Sequence, residues 1–153
     1  MQTYTIAFFG HRQIDDLYTM EKRLTMLIEE RLSEKEYVEF LVGRNGDFDR
    51  SVSSVIRTVQ KRKGRDHSVH VLILPYMTGE YLHNRESFAL YYDEIEIFDG
   101  GTYFKNAIKK RNRAMIDRAD EAVFWLERDQ GGAYDAYLYA RKREKIIKNI
   151  ANM

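Results

Sequence analysis

The sequence predicts an α/β fold of the Rossmann-like, doubly wound type: a mainly parallel sheet of about five strands with helices on both faces. Three observations predict it. Short β-rich runs alternate with amphipathic helical segments along the chain. Three Gly-containing turns, Gly10-His11-Arg12, Gly43-Arg44-Asn45-Gly46-Asp47 and Gly131-Gly132, each follow a predicted strand and lead into a helix, and they hold five of the nine glycines. The composition, 44% hydrophobic and 32% charged over 153 residues, suits a single domain spanning 1–153 and argues against disorder.

Residues 3–9 form a β-rich run ending at a glycine and read as a central strand. Asp15 or Asp16 can cap the next helix, whose apolar positions Leu17, Met20, Leu24, Leu27 and Ile28 recur at helical spacing. Residues 37–42 are the second strand; Phe48, Val52, Val55, Ile56 and Val59 make one stripe on the second helix. A third strand over 70–74 is stopped by Pro75, the only proline. Residues 76–101 break the rhythm with Tyr76, Tyr81, Tyr91 and Tyr92 and several acids, and read as an excursion over the ligand edge; 94–98 can pair as a short strand within it. Alternation returns with a helix over 104–118, a strand over 121–126, a helix over 133–143 and a last strand over 145–150.

In a parallel sheet the Gly turns gather at the carboxyl edge, where helix N-termini leave N–H groups free for an anion. A phosphate-bearing small ligand follows as the leading expectation. Arg12 suits a phosphate or carboxylate through its planar fork; His11 stands beside it with no partner identifiable from sequence. Gly43, Asn45 and Gly46 are expected to supply the positive φ of a tight turn. Asp47 and Asp49 fall in the first turn of the second helix, where the dipole stabilises carboxylates but their charge repels phosphate. Asp47 is therefore a cap or a partner for sugar hydroxyls.

Asn112 shares the buried face of the third helix with Phe104, Ile108, Met115 and Ala119, so its amide must hold a loop backbone or a ligand. Arg111 sits at the edge of that face and can reach the same sheet edge. Asp117 projects the other way as a solvated residue, and Asp120 ties a loop. Gly131-Gly132 opens a helix whose inner face is Ala133, Ala136, Tyr137 and Ala140, small enough to sit close to the sheet and aim its N-terminus at the crevice. Tyr134 can stack on a base or ribose or pack on the surface.

Several classes are excluded or disfavoured. Lys+Arg 25 against Asp+Glu 24 gives no global field to recruit nucleic acid, which argues against it as a partner. No apolar run reaches membrane length, and Met1-Gln2-Thr3-Tyr4 does not start a signal peptide. Zero cysteines exclude disulfides and thiolate sites. His67 and His70 lack a carboxylate at metal-ligand spacing, so no metal or other cofactor is expected. A cytoplasmic protein is the simplest account.

The order Phe8-Phe9-Gly10-His11-Arg12, Val42-Gly43-Arg44-Asn45-Gly46-Asp47-Phe48-Asp49, Lys110-Arg111-Asn112-Arg113 with Asp117 and Asp120, then Gly131-Gly132, resembles the SLOG superfamily. It is most similar to the small bacterial and phage-type members, over nearly the whole chain. The resemblance implies a Rossmann-like sheet with a pocket for nucleotides or nucleotide-derived ligands. Relatives include the cytokinin-activating phosphoribohydrolases, the DNA-processing protein of natural transformation and sensor domains of anti-phage systems. By position it implies Gly10, Arg12, Gly43, Gly46, Arg111, Asn112, Gly131 and Gly132 as pocket residues, and a homodimer or tetramer. The phosphoribohydrolase pattern Pro-Gly-Gly-x-Gly-Thr with its catalytic Glu is broken here: Gln130, Tyr134, Asp135 and Leu138 stand at the Pro, later Gly, Thr and Glu positions.

The sequence reading is therefore a sensor or sequestering domain for a nucleotide-like small molecule. An N-glycosidase or deoxyribosyltransferase using Asp93, Glu94 or Asp120 is the alternative. A single-stranded nucleic-acid binder, suggested by a basic stripe (Lys105, Lys109, Lys110, Arg111, Arg113) and many tyrosines, is the second alternative.

Overall fold

The computed structural model describes residues 2–98 and 106–152. Strand β1 (Thr3–Gly10) is followed by α1 (Leu17–Glu34), β2 (Tyr37–Val42), α2 (Asp47–Lys63) and β3 (Ser68–Leu74). Two short helices, α3 (Gly79–His83) and α4 (Arg85–Tyr91), precede β4 (Glu94–Ile97). Then come α5 (Ala107–Arg118), β5 (Glu121–Trp125), α6 (Gly132–Lys142) and β6 (Ile146–Asn149), closed by a 3₁₀ turn at Ile150–Asn152.

Among the described residues the strands form one six-stranded sheet in the order β4-β3-β2-β1-β5-β6, every pairing parallel. The sequence expectation of about five strands falls short by β4, whose four residues at an edge carry a weak signal. β1 sits at the centre, with Ile6 opposite both Phe40 of β2 and Glu121 of β5. The chain winds outward from β1 through β2 to β4, then crosses back to β5 on the other side. That reversal leaves a crevice beyond the carboxyl ends of β1 and β5.

Strand alternation splits the core in two. Ile6 and Phe8 face α1 and α2 with Met20, Leu24, Ile28, Val52 and Ile56. Ala7 and Phe9 face α5 and α6 with Met115, Ile116, Ala136 and Ala140. α1 begins at Asp16, whose carboxylate accepts from the Thr19 N–H at 3.0 Å.

Residues 76–98 correct an expectation: none of them lines the cleft described below. Phe88 and Tyr92 are buried in the core beside α2, and Tyr81 packs there too. Arg44 grips this segment, donating to both Glu80 oxygens at 3.0 and 3.1 Å and to the Tyr92 hydroxyl at 2.8 Å. Residues 99–105, with Gly100, Gly101, Phe104 and Lys105, lie outside the described residues. Among the described residues no helix is long and apolar enough to cross a membrane.

Candidate functional site

A cleft of about 500 Å³ opens at the carboxyl edge of the sheet. The first turn lines it with Gly10, His11 and Arg12, the second with Gly43 and Asn45, α5 with Arg111 and Asn112, and the third turn with Gly131 and Gly132. Gly46 and Tyr134 are not among its lining residues. Gly46 packs against the Arg12 backbone, while Tyr134 stacks on Tyr137, with ring centroids 6.0 Å apart.

The close approach of β1 and α2 explains Gly10. A Cβ there would lie 2.2 Å from the Phe48 ring, inside the space of a fully buried side chain. His11 follows and is only 5% exposed. The Glu127 N–H donates to His11 Nε2 at 3.0 Å, which requires that nitrogen to be unprotonated and places the ring hydrogen on Nδ1. Burial, then the neighbouring Arg128 guanidinium, hold its pKa below the ordinary histidine value against Glu127. The neutral ring therefore presents an N–H donor at pH 7. Arg12 is exposed, and its side chain borders the cleft.

The third turn matches its expectation in geometry. Gly131 has φ +96°, a conformation that L side chains rarely adopt, and α6 starts immediately after it. No side chain among the described residues caps this helix, so its first N–H groups keep their hydrogen-bonding capacity and the positive end of its dipole.

The second turn is built differently from expected. Gly43, Asn45 and Gly46 do not take positive φ; the positive-φ residues among those described are Gly64, Gly131 and Glu144. Crowding is what selects glycine at 43 and 46. A Cβ at 46 would stand 2.5 Å from Arg12 Cα, and one at 43 would stand 3.0 Å from Asp49 Oδ2 and 3.3 Å from both terminal nitrogens of Arg111. Asp47 clamps the two loops: its N–H donates to the Arg12 carbonyl at 2.8 Å and its carboxylate accepts from the Ile14 N–H at 3.0 Å. Its carboxylate also pairs with Arg50 at 2.9 Å, and Asp47 is not among the residues lining the cleft.

Asp49 borders the cleft, and the Asn45 N–H donates to its Oδ2 at 2.8 Å. Burial raises its carboxyl pKa above the ordinary aspartate value, opposed by that hydrogen bond and by Arg111, Arg12 and Arg50. Arg111 is 2% exposed, among the largest fully buried side chains. Its Nη1 donates to the Ile73 carbonyl at 2.8 Å and its Nε to Asn112 Oδ1 at 3.0 Å. With the Asn45 amide turned over, that side-chain oxygen accepts from Nη2 at 2.8 Å. Asn112 is thus a clamp on Arg111, and Arg111 ties α5 to the ends of β2 and β3. Desolvation pulls the Arg111 pKa down, against Asp49.

Other expectations change. Asp117 is not merely solvated: the Tyr139 hydroxyl donates to it at 2.8 Å and Arg143 pairs with it at 3.3 Å, joining α5 to α6 and its end. The basic stripe is dispersed, with Arg111 buried, Lys109 paired to Asp135 at 3.6 Å and Arg113 over the Tyr139 ring. Asp120 ties a loop as expected, accepting from the Thr5 N–H at 2.8 Å. It stands with Asp93 and Glu94 at the amino ends of β5 and β4, the edge opposite the cleft. Those three carboxylates therefore cannot act in it. Sequence reasoning passed over Arg128 and Gln130, which border the cleft just before Gly131, and set Asp49 aside as a dipole partner. An arginine and a glutamine ahead of Gly-Gly in one short turn are the signal that could have found the first two.

No protein-family profile matches the chain, and no curated protein matches it. Solved structures do. DNA processing protein A from Helicobacter pylori, described for a single-stranded DNA binding mode, superposes with TM-score 0.65 at 13% identity, over 97% of this chain and 70% of that one. DNA processing protein A from Streptococcus pneumoniae superposes with TM-score 0.66 at 11% identity, over 94% of this chain and 49% of that one, so this chain spans about half its length. The structural-genomics target TM1055 gives TM-score 0.58 at 13% identity, over 94% and 72%. At these identities the likeness establishes the shared Rossmann-like fold, the fold that the SLOG resemblance implied.

Proposed function

We propose that the chain is a small SLOG-type domain that binds a nucleotide or nucleotide-derived, phosphate-bearing ligand in this cleft, as a sensor or sequestering protein. One observation carries the reading: the uncapped start of α6, the neutral His11 ring and the Arg12 and Arg128 side chains all border one cleft at the reversal of strand order. Together they supply N–H donors and positive charge for a phosphate. A second reading, binding of single-stranded nucleic acid, is favoured by what is described for the Helicobacter neighbour. The balanced charge and the carboxylate of Asp49 in the cleft weigh against a polyanion.

A thermal-shift screen with mono-, di- and cyclic nucleotides, ADP-ribose derivatives, inorganic phosphate and a short oligonucleotide tests both. A ligand at one hundred times its dissociation constant adds about 2.7 kcal/mol, roughly 5–10 °C for a domain of this size. The expected hit is lost in Arg12→Ala and survives Asp117→Ala, since Asp117 serves only the α5–α6 tie. Stabilisation by the oligonucleotide alone moves the function to the second reading.

A further inference from the structure

We propose that Asp49 is the ribose-recognising group of this cleft, accepting the 2′- and 3′-hydroxyls of a ribonucleoside 5′-monophosphate whose phosphate sits at the start of α6. The inference rests on the cleft reading above and narrows its ligand class.

The two ends of the cleft are chemically unlike. At the β5 end stand the α6 N-terminus and His11, a ring 5% exposed whose Nδ1 has no partner among the described residues. These are donors for an anion. At the β2 end stands Asp49, the one carboxylate among the described residues bordering the cleft. Burial pushes the Asp49 carboxyl pKa up, the mark of a carboxylate with too few donors, so this end calls for O–H or N–H groups; ionised in their company, it repels a second phosphate.

Asp49 is also short of donors. The Asn45 N–H occupies Oδ2, while among the described residues Oδ1 accepts nothing. The nearby cation cannot fill the gap. Arg111 turns three of its five N–H donors to the Ile73 carbonyl, Asn112 and Asn45, and no ion pair joins it to Asp49 among the described residues. Arg12 is exposed at the rim, and Arg50 pairs with Asp47 at 2.9 Å. A vicinal diol supplies two O–H donors on adjacent carbons, which suits a carboxylate held in place by its neighbouring backbone.

The spacing agrees. β5 and β2 flank β1, so their ends lie two strand spacings apart, about 10 Å. A sugar 5-phosphate with a hydrogen bond at each end covers such a gap, and the base is left toward the open mouth.

The test is calorimetric titration of the full chain with AMP, GMP, CMP and UMP, each beside its 2′-deoxy counterpart. The expected result is at least one ribonucleotide binding about tenfold or more tighter than its deoxy partner, the loss of a hydrogen bond to a charged group. In Asp49→Asn the preference falls below about threefold while the deoxynucleotide affinity is kept, because the amide oxygen can still accept from the Asn45 N–H. Equal ribo and deoxy affinities in the wild-type chain, which require no variant to read, overturn the ribose assignment and leave the cleft reading standing. A preference that persists in Asp49→Asn overturns it as well. Binding of none of the eight, with no hit in the wider screen, overturns the cleft reading and this inference with it.

Discussion

Lowering the pH from 7 to 4 should remove about 3 kcal/mol of stability through one residue, His70. Its side chain lies in β3 with 0% exposure and Nε2 at 2.9 Å from Ser53 Oγ. The rings of Tyr92 and Tyr91 close over it, with centroids 4.9 and 6.2 Å away. Burial lowers its pKa from 6.5 to about 4; Asp93 opposes the shift, and Arg57 and Arg65 reinforce it. The unfolded chain takes up the proton near pH 6.5, the folded chain only near 4. Between those values the unfolded state binds more protons, so stability is complete above about 6.5 and falls as the pH drops toward 4. A gap of roughly 2.5 pH units at 1.36 kcal/mol each makes about 3 kcal/mol, or roughly 6–12 °C in melting temperature. Urea unfolding followed by Trp125 fluorescence at pH 7, 5.5, 4.5 and 4, in the wild-type chain and in His70→Gln, isolates the effect by difference. If both lose stability in parallel over that range, the assignment of the proton penalty to His70 is refuted.

Two further expectations concern the glycines. Gly46→Ala drives a methyl group to 2.5 Å from Arg12 Cα, so the loop must shift; a loss of about 1–3 kcal/mol in urea unfolding should accompany weaker ligand binding. Unchanged stability would mean that the two loops do not pack as described. Gly131→Ala and Gly64→Ala both place an alanine at positive φ with nothing within 4 Å of the new methyl, and each should cost about 1–2 kcal/mol from backbone strain. Only the first should impair the nucleotide-induced thermal shift, because Gly64 closes the far end of α2. Equal effects on binding would detach the start of α6 from the ligand site.

Much of this architecture is readable from local chemistry. The run from Thr5 to Phe9 ending at Gly10, the stripe Phe48–Val52–Ile56–Val59 and the small inner face of α6 each specify an element and its buried side. Long periodic segments state their hydrophobic face directly, since one face must leave water. β4 was harder: four residues on an edge, alternating acid and isoleucine, resemble loop as much as strand. That residues 76–98 stay out of the cleft is not legible locally, because no neighbouring residue reveals that Phe88 and Tyr92 bury themselves beside α2 and that Arg44 holds Glu80.

The sequence by itself determined the parallel α/β class and put three Gly turns at one sheet edge, because the alternation of strand and helix and the handedness of their crossovers allow little else. It also identified Gly10, Arg12, Arg111, Asn112 and Gly131 as residues of that edge. Only the tertiary structure decided what each does there. Arg111, so easily taken for a phosphate ligand, is a buried tie between α5 and two strand ends; Gly43 and Gly46 are small to avoid collisions and not to turn; Asp49, repelled from the site on charge alone, borders it. Such roles depend on contacts between residues 30 to 70 positions apart, as Asp47 with Ile14 and Arg111 with Ile73 demonstrate, and no local pattern of side chains encodes those distances.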